Sequence, residues 1–162
     1  MILNAPPKQS LSGVIWFVRV VRDLAVFDGN VYALFPTAIE QYDRHGELVR
    51  RIDACSDDAD YCSMAVCKEG IFVTDASNKH ICKYNPDGSF ASFIKSPNGF
   101  VVPSYCFGIT VMDGKVFCSN PGRHQVEQYT TDGTFVASFG KSGAGKGGFQ
   151  RLLQSCHTHP RQ

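Results

Sequence analysis

The sequence predicts an all-β fold assembled from repeated four-stranded antiparallel sheets, and three observations carry that reading. Tyr42, Tyr84 and Tyr129 recur 42 and 45 residues apart, a period typical of stacked or radial arrays. Each tyrosine is followed by a turn pair, His45-Gly46, Asp87-Gly88 or Asp132-Gly133, and then by Leu48, Phe90 or Phe135. Upstream, Tyr32, Phe72 and Phe117 sit in short apolar runs preceded by Asp28-Gly29, Glu69-Gly70 and Asp113-Gly114. Every period therefore holds two turn signals between strand-like segments, and none of these windows shows the 3.6-residue periodicity of a helical repeat.

Taken in chain order, Val14 to Val21 reads as a buried strand: it contains Arg19 and is too short to cross a bilayer. The first period, around Tyr32 and Tyr42, is the least regular, because the loop between its second and third strands is two residues shorter than in the other periods. The second is read as Ser63 to Cys67, Ile71 to Thr74, Ile81 to Tyr84 and Ser89 to Ile94. Ile71, Phe72 and Val73 are apolar at consecutive positions, as expected of a strand covered on both faces. The third is read as Phe107 to Met112, Lys115 to Ser119, Gln125 to Tyr129 and Thr134 to Phe139. Asp113-Gly114 and Asp132-Gly133 are expected to form tight hairpins, since Asp-Gly tolerates positive φ at both central positions. Four antiparallel strands in about 43 residues match one blade of a β-propeller. The expected organisation is an N-terminal tail over 1–13, a partial propeller of about three blades with flanking partial strands over 14–150, and a tail over 151–162.

Composition bounds the function. The 162 residues are 43% hydrophobic and 19% charged, enough for one domain or part of a larger repeat domain. Sixteen Lys and Arg balance fifteen Asp and Glu at a net charge of +1, so no global field draws the chain to nucleic acid or membrane. The seven cysteines are irregularly spaced, and Cys67, Cys82 and Cys118 fall inside apolar runs. They read as reduced thiols, which places the chain in the cytoplasm.

The second period, Ile71-Phe-Val-Thr-Asp75-Ala-Ser-Asn78-Lys79-His80-Ile81-Cys-Lys-Tyr84-Asn-Pro-Asp87-Gly88, resembles the NHL repeat, as does the connector Phe139-Gly140 to Phe149-Gln150 that closes the third. The third period departs from the pattern with Asn120 where the family has Asp and Arg123 where it has Asn. After Phe149 the next blade's inner strand does not follow, so the resemblance implies a truncated ring whose bare blade edges invite self-association. It also implies a non-catalytic platform of tripartite-motif NHL type for protein or single-stranded RNA. The alternative is a fragment of a metal-dependent propeller lyase or hydrolase.

The candidate binding surface is the loop rim formed by Asp75, Asn78, Lys79 and His80 of the second period and Asn120, Arg123, His124 and Gln125 of the third, where polar and basic groups could stack on and hydrogen-bond a ligand. Asp75 and Asn78 have a second reading, in which their side chains bond backbone amides and hold the loop. Other sites are not expected. Gly140 to Gly147 falls one residue short of a phosphate loop, lacking the hydroxyl after Lys146. Cys156, His157 and His159 lack the spacing of a closed zinc site. On the stretches expected to line a central channel, Arg22 to Val26, Ser63 to Val66 and Phe107 to Val111, only Asp23 carries a carboxylate, so no catalytic residue, metal or cofactor is assigned.

Overall fold

A computed structural model describes residues 19–101 and 107–149. The tails and most of the Val14 to Val21 run lie outside that range, as do Cys156, His157 and His159. Three four-stranded antiparallel sheets follow one another, each in simple sequential order. Blade 1 comprises β1 (Asp23–Phe27), β2 (Asn30–Phe35), β3 (Ala38–Tyr42) and β4 (Leu48–Asp53); blade 2 comprises β5 (Tyr61–Cys67), β6 (Gly70–Asp75), β7 (His80–Tyr84) and β8 (Phe90–Ile94). Blade 3 comprises β9 (Ile109–Met112), β10 (Lys115–Asn120), β11 (Gln125–Thr130) and β12 (Phe135–Phe139), followed by a short parallel pair, β13 (Lys141–Ser142) and β14 (Gly148–Phe149). The described residues contain no α-helix.

Alternation along the strands builds the core. Ile71 and Val73 point into a cluster with Leu34, Ile39, Cys82 and Tyr84 between blades 1 and 2, while Phe72 points the other way into a cluster with Ile81, Val116, Cys118 and Tyr129 between blades 2 and 3. Blade 2 is thus buried on both faces, which is why β6 reads as a continuous apolar run. Full burial of each large side chain contributes roughly 1.5–3 kcal/mol. Neighbouring blades also touch through polar bonds: Asp23 Oδ2 accepts from Ser63 Oγ (2.8 Å) and the Met64 amide (2.9 Å), and the Thr74 hydroxyl donates to the Phe107 carbonyl (2.9 Å).

Two turn assignments need correction. Asp28-Gly29 and Asp113-Gly114 do take positive φ at both residues, 48° and 72°, 51° and 69°, as the tight hairpin requires. Asp132-Gly133 does not. There the Gly133 amide bonds back to the Thr130 carbonyl, Gly133 alone has positive φ, and the ladder slips by one residue beside Tyr129. This is a longer hairpin with a bulge, repeated at His45-Gly46 and Asp87-Gly88. In blade 2 the inner turn falls on Lys68-Glu69, and Gly70 opens the next strand at φ 137°, where a Cβ would lie 2.1 Å from the Tyr84 carbonyl oxygen. Gly70 is required by close backbone approach.

Candidate functional site

The loops between second and third strands span 76–79 in blade 2 and 121–124 in blade 3, whereas blade 1 turns in two residues, Pro36-Thr37. Asp75 faces His80 directly across the ladder, and Asn120 faces Gln125 in the same way. The last residue of each loop is left-handed, Lys79 at φ 54° and His124 at φ 56°. The two halves of the predicted rim therefore occupy equivalent positions on neighbouring blades.

Much of their polar chemistry is turned inward to fasten the connector arriving from the preceding blade. Asp75, fully buried, accepts at Oδ1 from the amides of Asp60, Ser77 and Asn78 (3.1–3.2 Å). Asn78 Nδ2 reaches Ser56 Oγ (3.3 Å), Asp58 Oδ1 (3.2 Å) and Asp75 Oδ2 (3.0 Å), tying the loop to the 54–60 connector. In blade 3, Asn120 accepts from the Val101 amide (3.0 Å) and donates to the Gly99 carbonyl (3.1 Å), and Arg123 donates to the carbonyls of Gly99 (3.2 Å) and Asn98. The Asn and Arg that depart from the repeat pattern thus do the same job on the 95–101 connector by different bonds. Lys79 and Arg123 remain exposed, His124 and Gln125 are half-buried, and exposed Asp57 and Asp58 stand beside the blade 2 loop.

A second feature, unnoticed in the sequence, is a polar position two residues before each repeat tyrosine. It is Glu40 in blade 1, Cys82 in blade 2 and Glu127 in blade 3, all buried. Burial works to raise the Glu40 pKa, but hydrogen bonds from Tyr42 (2.6 Å), Arg19 and Arg51 (3.0 Å) outweigh it and hold the carboxyl below its ordinary range. Glu127 accepts from Ser96 Oγ (2.9 Å), Asn120 Nδ2 (2.8 Å) and the Tyr129 hydroxyl, and burial together with that carboxylate pushes the Tyr129 phenol up.

Blade 2 is different. Burial drives the Cys82 thiol up and lowers the pKa of His80 against the pull of Asp75. His80 Nε2 is buried without a hydrogen-bond partner, 3.7 Å from Asp75 Oδ2. Ligand atoms of Asp75, His80 and Cys82 all lie within 4.8 Å of one another, and Cys55 Sγ on the incoming connector is 3.4 Å from Cys82 Sγ. Asp75, His80 and Cys82 are the described residues best suited to hold a metal ion.

Elsewhere, the inner hairpins of the three blades border an open cleft of about 720 Å³ lined by Phe27, Cys67, Val111 and Met112 among others. In the Gly140–Gly147 segment the amides of Lys141 and Gly148 bond to carbonyls within the segment itself. A following Gly147 still offers no hydroxyl.

No protein-family description and no curated protein matches the chain. Solved structures do. A streptogramin B lyase is 20% identical over 74% of this chain and 40% of its own, with a TM-score of 0.60. Virginiamycin B lyase from Staphylococcus aureus is 16% identical over 74% and 40%, at 0.59. A chain of the nidogen/laminin complex is 22% identical over 74% and 49%, at 0.59. At these identities the likeness shows the fold, a β-propeller, of which this chain spans less than half the length of each neighbour. No helix among the described residues is long and apolar enough to cross a membrane.

Proposed function

We propose that the chain is a non-catalytic interaction module of NHL-repeat type that binds a protein partner through its loop face in the cytoplasm. The observation that carries this is the matched pair of loops. Both end in the same left-handed residue and are fastened at their bases by Asp75 and Asn78 or Asn120 and Arg123, so Lys79, Arg123, His124 and Gln125 are presented on a rigid rim. Asp57 and Asp58 beside Lys79 mix the charge of that rim, which favours a protein surface over a phosphate backbone. Asp23, the one carboxylate on the inner-strand stretches, is engaged by Ser63 and Met64, in keeping with a non-catalytic role. Cysteines 62, 82 and 118 buried among apolar side chains suit a reducing compartment.

A second observation favours self-association. The face of blade 3 turned away from blade 2 exposes Met112 (59%) and Phe139 (50%), while the matching face of blade 2 is buried. Peptide-display selection on the intact chain tests the first reading: enriched peptides should lose about tenfold in affinity on Lys79→Glu with the thermal melt unchanged. Peptides indifferent to that change, or salt-sensitive retention of single-stranded poly(U) instead, would overturn it. Sedimentation of Met112→Lys against the parent chain tests self-association.

A further inference from the structure

We propose that Asp75, His80 and Cys82 bind one divalent transition-metal ion of the zinc class at the blade 1–blade 2 junction. The hairpin brings the groups together. Asp75 and His80 are cross-strand partners, and Cys82, two residues along β7, lies on the same face as His80. Their donor atoms sit within 4.8 Å of one another. His80 is 8% exposed, and its Nε2 is buried and unpaired. A buried ring nitrogen with no partner costs stability, so its persistence calls for a ligand.

The spacings favour coordination over hydrogen bonding. At 3.7 Å, His80 Nε2 and Asp75 Oδ2 are too far apart to share a proton. They lie near the ~3.3 Å edge that two arms of about 2 Å subtend at a tetrahedral ion.

Supporting contacts are in place too. Three backbone amides hold Asp75 Oδ1, which leaves Oδ2 directed to the cluster with Asn78 Nδ2 as its outer partner. One sulfur, one imidazole and one carboxylate select a zinc-class ion over calcium or magnesium, which take oxygen ligands. Exposed Asp57 and Asp58, on the connector bonded to Asn78, give a cation an attractive approach. On binding, Cys82 loses its thiol proton to solvent, and its thiolate with the Asp75 carboxylate balances the two positive charges. At the position of Cys82, blade 3 instead has Glu127, bonded to Asn120, Ser96 and Tyr129.

The test uses the full chain, stripped with a chelator, kept reduced, and titrated with cobalt(II) and then zinc. One cobalt per chain is expected, with thiolate-to-cobalt absorption that zinc displaces, and zinc should raise the melting temperature. Cys82→Ser should abolish the charge-transfer band and weaken zinc about 100-fold and His80→Gln about tenfold or more, while Cys55→Ser should leave the band in place. Lys115→Ala, exposed on blade 3, should leave metal binding unchanged. His80→Gln removes no hydrogen bond of Nε2 and so decides the matter should Cys82→Ser unfold. Absence of stoichiometric binding, or binding that survives in both variants and hence belongs to other thiols or histidines, would overturn the proposal.

Discussion

Blades 2 and 3 carry the same loop on the same backbone and fill the space beneath it in opposite ways. In blade 3 the buried acceptor Glu127 is met by Asn120, Ser96 and Tyr129, so the loop, the connector and the third strand are locked by a completed hydrogen-bond network. In blade 2 the corresponding side chain is Cys82, and the loop's acid is Asp75, saturated on one oxygen by amides while the neighbouring imidazole nitrogen has no partner. A propeller repeat fixes where polar side chains converge at the blade junction. It does not fix whether the convergence is closed for stability or left open to a ligand.

The largest expected effect separates the two junctions directly. Glu127→Ala strips the partner from three donors in a site 1% exposed, and should cost about 3 kcal/mol or more in urea unfolding. Cys82→Ala, tested without metal, removes one sulfur whose contact is the neighbouring Cys55 thiol and should cost about 1 kcal/mol. Equal costs would mean that the blade 3 network is no more cohesive than the thiol packing of blade 2.

Blade 1 extends the contrast, because Glu40 is the same device closed by charge. Its folded pKa lies below its ordinary 4.5, so the unfolded chain takes up the proton first as pH falls. Stability from Glu40 is present above about pH 4.5 and is lost as acid approaches the depressed folded value. Melting temperature followed from pH 6 to pH 3 should fall more steeply in the parent chain than in Glu40→Gln. Parallel curves would show that the Arg19, Arg51 and Tyr42 bonds do not discriminate the ionised form.

The strands were legible because tyrosines and glycine turns punctuate them: β5 to β12 fall within about two residues of their sequence limits. Turn types were less so. Glycine marks where positive φ occurs but not whether its predecessor shares it, and so Asp113-Gly114 and Asp132-Gly133, identical in sequence, fold differently. The loop residues were legible as a group, whereas the junction beneath them was not. Glu40-Gln-Tyr42 and Glu127-Gln-Tyr129 repeat verbatim and mark the buried acceptor. Cys82 read as a small hydrophobe, because a thiol in an apolar run signals nothing until the chain folds Cys55, 27 residues away, against it.

The smallest effect probes the backbone the two loops share. Lys79 and His124 both hold left-handed φ near 55°, a region that costs an L-residue about 1 kcal/mol and costs glycine nothing. Glycine also gives the unfolded chain more freedom, which offsets most of that relief. Lys79→Gly and His124→Gly should therefore each stabilise by only a few tenths of a kcal/mol, and by the same amount, in matched thermal melts. A gain at one position and a loss at the other would mean that the side chain, and not the common loop conformation, sets the energy there, and the two halves of the rim would cease to be equivalent.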